Sequence, residues 1–298
     1  MRLGMTLPVM EPDLWERPST LEDWARAVDS GPYSALCFGE RMAFDNPETL
    51  TLLGAVSAWT SRVRLVTTVI VPQLHEPAPL AKALATADRL SGGRLTVGLG
   101  VGGRLEDYRA ASSDAPQTMA EMAARAEAMK RIWAGSPLAD DVGPIGPPPL
   151  QPGGPPLLVG TMGPRTVRSA ASWASGLAGF SLDLDVAAIS GLYDVARSAW
   201  ASAGRPAPLL TTSFWVALAT SPSAVPDARA QVHRHLRHYM SWLPPSLVDA
   251  MAPTTGFAGT LDDLRDLLHR LEDAGTDEVH LIPTSTDLAL VDRVAELA

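Results

Sequence analysis

The sequence predicts a single TIM-type (β/α)8 barrel that spans residues 1–298. Eight short apolar runs alternate with helical segments, which is the order that a parallel sheet with crossover helices requires. Most of these runs are uninterrupted by polar residues, as is typical of parallel strands that are buried on both faces. The chain length suits one such barrel, and a final helix that returns to the start favours closure over an open doubly wound sheet.

The first half of the chain contains four of the predicted strands. Thr20, with two acidic residues behind it, is a good N-cap for the first helix, which ends at Gly31-Pro32. Apolar residues at helical spacing predict the next helix over residues 47–59. The predicted strands are residues 3–7, 34–39, 63–71 and 94–100, and the other predicted helices are residues 79–90 and 118–133.

The second half follows a segment rich in Pro and Gly, residues 137–156, which predicts an ordered loop. A helix should begin near Pro164, because proline suits the first helical turn. The predicted strands are residues 157–160, 177–180, 209–218 and 278–283, and the other predicted helices are residues 185–203, 223–242, 260–274 and 287–297. The polar helix before the last strand makes residues 219–258 a helical insertion within the barrel.

Composition argues against several classes of protein. The net charge is −9 and the arginines are scattered among acids, whereas a nucleic-acid binder shows a basic stripe. Cys37 is the single cysteine, which fits a reducing compartment, and we find neither a signal peptide after Met1 nor an apolar run of the ~18 residues that a membrane span needs. We therefore expect a cytoplasmic enzyme with a small-molecule substrate and no nucleic-acid or membrane partner. Its Ala-rich helices suit a homodimer.

Two glycine-rich segments follow predicted strands, at the barrel end where active sites lie. Gly98-Leu99-Gly100-Val101-Gly102-Gly103 would let the backbone approach a flat ligand closely, although a plain tight turn remains an alternative. Its spacing does not fit a dinucleotide fingerprint. Gly160-Thr161-Met162-Gly163-Pro164-Arg165-Thr166 offers free amides, hydroxyls and a cation at a helix start, which suits an anion or, equally, a capped turn without a ligand.

Glu40-Arg41 ends the second predicted strand and therefore faces the same barrel end. The pair could be catalytic, or it could be a structural ion pair. His75 lies in a Pro-flanked loop, where we expect a packing role rather than a base.

Two other groups of residues fit structural roles better than functional ones. One predicted helix carries three histidines, His233, His235 and His238. Their spacing along a helix does not bring their side chains together around one metal ion, so we predict no metal site. Trp215 and Trp242 could form the wall of a pocket, but large aromatic residues more often fill the core, and we expect that role here.

Three motifs in order resemble the bacterial luciferase-like monooxygenase family. They are residues 52–65, which end in Thr60-Ser61-Arg62-Val63-Arg64-Leu65; residues 79–94, which end in Asp88-Arg89-Leu90-Ser91-Gly92-Gly93-Arg94; and the first glycine segment. Residues 160–171 look like the phosphate-binding turn and helix of that family. The likeness is good over residues 1–180 and extends to the rest only in pattern.

The resemblance implies a reduced flavin or a deazaflavin lying on the strand ends of a TIM barrel. By position, the residues that would contact or line its ring are Thr67, Thr68, Val69, Gly100, Val101, Gly102 and Gly103, with Asp107 at the acidic position of the family. The residues that would hold its phosphate are Gly160, Thr161, Gly163, Arg165 and Thr166.

The chain departs from the family at Arg41, at Gly103 and at the end of the sixth strand, where Gly179-Phe180 replaces a Gly-Trp-like ending. Glu40-Arg41 stands where Glu-His or Asp-His is common, so the family histidine is absent there. Arginine stays protonated and cannot act as an ordinary base, but it could stabilise an anion, and Glu40 and Arg41 remain the predicted catalytic residues. Gly103 replaces an aromatic residue, which should open the pocket.

The resemblance thus implies an oxidoreductase that uses a deazaflavin, coenzyme F420, for hydride transfer to or from a small organic substrate. The Lys-poor composition, rich in Ala, Arg and Pro, favours this cofactor by association only. The alternatives are an FMN-dependent monooxygenase and a family member that binds a flavin without turnover. A metal-dependent hydrolase is disfavoured because no cluster of metal ligands is visible.

Overall fold

Parallel strands form a closed barrel in the computed structural model, which describes residues 1–139, 141–161 and 163–298. The strands are β1 (Arg2–Thr6), β2 (Ala35–Phe38), β3 (Arg64–Ile70), β4 (Leu95–Leu99), β5 (Leu157–Val159), β6 (Gly176–Ala178), β7 (Leu209–Leu218), β8 (Phe257–Gly259) and β9 (Glu278–Pro283). Strands β1 to β7 pair in chain order, and β9 closes the barrel between β7 and β1. The predicted TIM-barrel fold is confirmed.

One strand was not predicted from the sequence. Strand β8 lies outside the closed ring and pairs with the far end of β7, where Val216 opposes Phe257 and Leu218 opposes Gly259. Three residues are too few to show the period-2 alternation by which strands are recognised.

Helices surround the barrel. In the described residues they are α1 (Thr20–Ser30), α2 (Thr49–Trp59), α3 (Pro77–Leu90), α4 (Leu105–Ala110), α5 (Met119–Trp133), α6 (Pro164–Ala170), α7 (Val186–Ser202), α8 (Val225–Tyr239), α9 (Pro245–Met251), α10 (Leu261–Asp273) and α11 (Ala289–Val294). The short helices α4 and α9 were not predicted. Thr20 is the first residue of α1 rather than its N-cap, because Ser19 occupies the cap position and the Thr20 hydroxyl donates to the Arg17 carbonyl.

The core consists of the barrel interior and the layer between barrel and helices. Every residue of β2 is buried, as expected for a strand packed on both faces. Helix α10 illustrates the outer layer, because its buried residues Leu264, Leu267, Leu268 and Leu271 recur at helical spacing on one face. Burial of each such leucine stabilises the fold by about 1.5–3 kcal/mol. None of the helices in the described ranges is both long and apolar enough to cross a membrane.

A polar cluster lies inside the barrel near the first residues of the strands. Glu278 on β9 accepts hydrogen bonds from Arg64 on β3 and from Ser34, and its Oε2 lies 3.3 Å from Nε2 of His280. Strands β1 and β2 separate β9 from β3, so these side chains meet across the barrel interior. Burial alone raises the pKa of Glu278, but His280 and Arg64 outweigh this effect and hold that pKa well below its ordinary value.

Helices α8 and α9 lie between β7 and β9, within the predicted insertion. The backbone enters and leaves this segment at one point, because the Ala219 amide donates to the Gly259 carbonyl at 2.8 Å. The division of the chain into one barrel with an insertion over residues 219–258 stays a prediction.

Candidate active site

A cavity of about 440 Å³ opens at the carboxyl end of the barrel. All eight barrel strands, or the residues directly after them, contribute to its lining; one residue from each is Thr6, Gly39, Thr68, Gly100, Gly160, Ala178, Ser213 and Ile282. This is the end at which TIM barrels carry their active sites, and the volume lies within the range of small-molecule pockets.

Val69 lines this cavity beside Gly100 and Gly160. The pairing of β3 with β4 shifts register between Thr67 and Ile70, and the Thr68–Val69 peptide bond there is cis. A Cβ atom on Gly100 would lie 2.6 Å from Val69 Cγ2, and one on Gly160 would lie 2.8 Å from Val69 Cγ1. These two glycines are therefore needed to accommodate Val69, a role that the sequence interpretation had given to a ligand.

The other predicted ring residues divide into two groups. Thr68, Val69 and residues 100–103 line the cavity, but Thr67 is fully buried beneath it and donates to the Gly98 carbonyl. Gly102 has a φ of +65°, a conformation that favours glycine. No described atom lies within 4 Å of the position that a Cβ atom on Gly103 would take, so the pocket is open at that residue.

The predicted phosphate residues form a turn beside the cavity. Gly160 and Thr161 line it, and the Gly163 amide donates to Thr161 Oγ1 at 3.1 Å. A Cβ atom on Gly163 would lie 3.8 Å from Thr161 Oγ1 and 3.9 Å from Thr166 Oγ1, so two hydroxyls flank this turn. Arg165 is exposed at the start of α6, and Met162 of the same segment lies outside the described residues. The assignment of a phosphate to these residues remains a prediction.

Glu40 is paired with His75 rather than with Arg41. Its Oε1 lies 2.6 Å from His75 Nε2, and its Oε2 accepts from the Val71 amide at 2.7 Å. Burial lowers the pKa of His75, but the hydrogen bond and charge of Glu40 outweigh burial, and the pKa is raised. Both carboxylate oxygens of Glu40 are thus engaged in holding the loop after β3 against β2.

Arg41 does not line the cavity, contrary to the sequence-based prediction that it faces the barrel mouth. Its guanidinium lies 3.7 Å from the centre of the Phe44 ring, and its Nη1 donates to the Tyr239 carbonyl at 3.0 Å. Burial and the nearby charge of Arg104 lower the pKa of Arg41 to about 10, so it stays protonated at neutral pH. Arg41 therefore ties the loop after β2 to the end of α8.

Asp107 lines the cavity, but its oxygens already have partners. Oδ1 accepts from the Met42 and Ala43 amides at 3.1 Å and 2.7 Å, and Oδ2 accepts from Arg104 at 3.1 Å. Arg104 in turn lies 4.4 Å from the centre of the Trp242 ring. The predicted acidic position thus joins the loops after β2 and β4 at the rim of the cavity.

Aromatic side chains form a second group in the lining of the cavity. Trp215 contacts Phe180 and Tyr239 edge to face, with ring centres 5.2 Å and 5.3 Å apart, and Tyr239 contacts Trp242 at 6.0 Å. All four rings line the cavity. The expectation that Trp215 and Trp242 only fill the core is therefore wrong. Trp215 packs in a hydrophobic cluster and also forms part of the wall.

A buried histidine also lines this aromatic side, and sequence reasoning missed its role. His235 Nδ1 lies 2.5 Å from Glu11 Oε1, and the two side chains are only 1% and 7% exposed. His233, in contrast, pairs with Asp249 at 2.8 Å. The sequence does place Glu11 in the loop after β1, at the barrel end where active sites lie. It could not reveal the partner of Glu11, because His235 lies 224 residues away along the chain.

Comparisons with known proteins agree with this architecture. The sequence profile described as luciferase-like monooxygenase matches residues 1–279. An uncharacterised protein of Mycobacterium tuberculosis is 34% identical over 165 residues, 51% of this chain and 56% of that protein, so the match spans about half of this curated relative. An F420-dependent glucose-6-phosphate dehydrogenase of Segniliparus rotundus is 34% identical over 91 residues, 29% of this chain and 27% of the relative.

A solved structure extends the likeness in fold to the full length. A monooxygenase from Streptomyces bottropensis superposes with a TM-score of 0.83 at 21% identity, and the alignment covers 100% of this chain and 97% of that one.

Proposed function

This chain belongs to the luciferase-like monooxygenase family, and on that premise we propose that it is an oxidoreductase that transfers hydride between a deazaflavin, coenzyme F420, and a small organic substrate. The observation that carries the proposal is that two unlike groups of residues line the cavity. One group is Val69 with the glycines around it, and the other is a cluster of four aromatic rings.

The glycine side fits a flat ring system. Gly102 and Gly103 leave backbone exposed without side chains, and Val69 offers an apolar surface between them and β2. Backbone amides and carbonyls at this side can bond the polar edge of a ring, while small residues permit close approach. Thr161, Gly163 and Thr166 are the groups that would hold a phosphate at its end, with Arg165 nearby. When bound, the deazaflavin supplies a carbon that gives or accepts a hydride.

The aromatic side fits the apolar body of a substrate. Phe180, Trp215, Tyr239 and Trp242 offer large rigid surfaces, and together they exclude water from the place where hydride would move. Curated relatives with a named activity that match this chain, such as the one from Segniliparus rotundus, are F420-dependent, which supports the deazaflavin over FMN.

Titration of the purified protein with coenzyme F420 and with FMN, each in its oxidised and its reduced form, tests the proposal. We expect the deazaflavin to bind more tightly, and tighter binding of FMN would instead favour the monooxygenase alternative.

A substitution at Gly103 tests where the ring binds. Gly103→Trp should weaken deazaflavin binding at least tenfold, because the new side chain fills the open space beside that glycine. Gly143→Trp is the matched control, since that glycine is also surrounded by open space but lies in a loop away from the cavity. Equal binding by both variants would contradict the assigned ring position.

A further inference from the structure

Two arginine side chains share one buried carboxylate at the rim of the cavity. Arg41 and Arg104 are only 7% and 8% exposed, and the buried acid beside them is Asp107, which accepts from Nε of Arg104. Arg41 forms no ion pair with a described carboxylate, and its Nη1 donates to the Tyr239 carbonyl instead. Glu106 also acts on Arg41, but it is exposed, so water screens its charge. The rim thus holds one buried positive charge that the described residues do not balance.

Aromatic rings hold both guanidinium groups in place. The central carbon of each lies 5.3 Å from the centre of the Tyr239 ring, and its distance from the Trp242 ring centre is 5.2 Å for Arg41 and 4.4 Å for Arg104. A ring face attracts a cation but carries no net charge, so these contacts position the two cations without neutralising them. Their mutual repulsion adds to burial in lowering the pKa of Arg41. An anion bound at this rim would therefore relieve an electrostatic cost that is built into the fold.

Arg104 is the arginine of this pair that an occupant of the cavity can reach. It lines the cavity, whereas Arg41 does not. Its Nε is engaged by Asp107, but its Nη1 and Nη2 donate to no described residue, and neither is closed off from solvent, in contrast to Nε of Arg41. The two terminal nitrogens of a guanidinium match the two oxygens of a carboxylate. Arg104 therefore presents a free pair of donors beside the ring of Trp242.

The charge and the neighbouring rings indicate the chemistry of the anion. One surplus positive charge matches a carboxylate, which carries a single negative charge at neutral pH. A phosphate monoester, with a charge of about −1.5 to −2, would leave the rim negative. Four aromatic residues line the same cavity and offer apolar surface to the rest of the molecule: Phe180, Trp215, Tyr239 and Trp242. A compound that joins one carboxylate to an apolar body satisfies both the cation and the rings.

We infer that Arg104 is a specificity-determining residue that binds the carboxylate of a substrate with an apolar body. This assignment rests on the proposed function and narrows its small organic substrate to an ionised carboxylic acid. Asp107 and Trp242 are the positioning residues of the guanidinium, because Asp107 holds Nε and the Trp242 ring packs against the group. Arg41 strengthens the attraction through its charge alone, since it does not line the cavity.

Binding of small ligands to the cofactor-free wild-type protein is the first test. Phenylacetate, 4-phenylbutanoate and decanoate are each compared with the matching amide, which has nearly the same shape but no charge. The fluorescence of Trp215 and Trp242, which line the cavity, reports binding. At low ionic strength at least one acid should bind about tenfold more tightly than its amide, and added salt should narrow the difference. If no acid is preferred over its amide, or if salt leaves the preference unchanged, the inference is overturned.

Variants of Arg104 then identify the group that recognises the acid. Arg104→Gln should lower the preference for the acid to less than about threefold while the amide binds as it does to wild type, which shows that the cavity is intact. Arg104→Lys should keep part of the preference, because lysine retains the charge but not the paired donors. Arg109→Gln is the matched control, since it removes an exposed cation from α4, the helix that begins directly after Arg104. A preference that survives Arg104→Gln contradicts the assignment. If that variant loses the amide as well, the salt dependence of the wild type decides.

Deazaflavin binding distinguishes this inference from the proposed function. Arg104→Gln should change the deazaflavin dissociation constant less than about threefold, because the assigned partner of the guanidinium is the substrate. If the variant instead loses affinity for the deazaflavin and keeps its preference for the acid, the guanidinium binds an acidic group of the cofactor and the inference is wrong. If the wild type binds no deazaflavin but prefers the acids, the proposed function fails and Arg104 remains a carboxylate site.

Discussion

Val69 explains the glycines around it more directly than a ligand does. Its two methyl groups occupy the positions that side chains at 100 and 160 would need. The family motifs in the sequence therefore predicted glycines that do line the cavity, but they could not reveal that part of the glycine requirement comes from the protein itself. A register shift in a strand depends on tertiary pairing and leaves no periodic signal.

Gly100→Ala tests this account of the glycines. The new methyl group would lie 2.6 Å from Val69 Cγ2, so we expect a loss of about 1–3 kcal/mol in the free energy of unfolding, measured with urea. Because Val69→Ala removes the clashing methyl groups, the double variant should be more stable than the two single losses predict. Gly54→Ala is the control, as its Cβ would meet no described atom within 4 Å. Strict additivity would show that Val69 is not what excludes a side chain at 100.

The candidate site also contains side-chain contacts that could not be predicted from the sequence. Glu40 was identified, but its partner His75 was expected only to pack, and Arg41 was expected at the cavity. The direction of Arg41 is set by Phe44 and by the end of α8, and no local pattern encodes a contact across 198 residues. The pair of Glu11 and His235 was hidden for the same reason.

Secondary-structure elements were predictable when they were long. The boundaries of β7 and β9 match the sequence patterns, because runs of six to ten residues carry enough apolar and β-branched residues to be recognised. Helices α4 and α9 were missed, since six or seven residues hold fewer than two full turns of periodicity. The end of α8 at Tyr239 rather than residue 242 is an ordinary boundary error.

The loop over residues 137–156 is attached to the barrel through Asp88 of α3. The fully buried carboxylate accepts from the Leu150 and Gln151 amides at 2.7 Å and 2.9 Å and from the Gln151 side chain at 2.7 Å. We expect Asp88→Ala to lower the free energy of unfolding by about 3 kcal/mol, because two loop amides and the Gln151 side chain lose their acceptor.

The same substitution should make the loop a target for thermolysin, which cleaves beside exposed apolar residues such as Leu138 and Val142. Digestion under native conditions, followed by mass spectrometry, measures this effect. Asp141→Ala in the exposed part of the loop is the control and should leave the cleavage rate unchanged. Equal rates for both variants would mean that Asp88 does not anchor the loop.

The barrel as a whole encloses charge as well as apolar side chains. Closure of eight strands was predictable from their alternation with helices, but the cluster of Glu278, His280 and Arg64 was not, because only closure brings β3 and β9 to opposite walls of one interior. Such a cluster depends on the ionised form of Glu278, and it links the stability of the barrel to pH.

Glu278→Gln should lower the free energy of unfolding at pH 7 by about 3–5 kcal/mol, as for other broken buried ion pairs. The folded pKa of Glu278 lies below its ordinary value of 4.5, so its stabilising effect is present above pH 4.5 and is lost as the pH falls. The difference between wild type and variant should therefore narrow by about 1.4 kcal/mol for each pH unit below 4.5. Urea unfolding between pH 7 and pH 3.5 measures it, and a constant difference over that range would contradict a lowered pKa.

The hydrogen bond between Ala219 and Gly259 has a consequence for how this protein could change over generations. Because the two ends of the segment between Ala219 and Gly259 lie side by side, its length can change without altering the register of β7 against β6 or β9. Tyr239, Trp242 and His235 all belong to that excursion, whereas Val69 and the glycines around it belong to the barrel. Insertions, deletions or the transplantation of a whole foreign segment can thus replace those aromatic residues of the cavity while Val69 and the glycines around it are inherited intact.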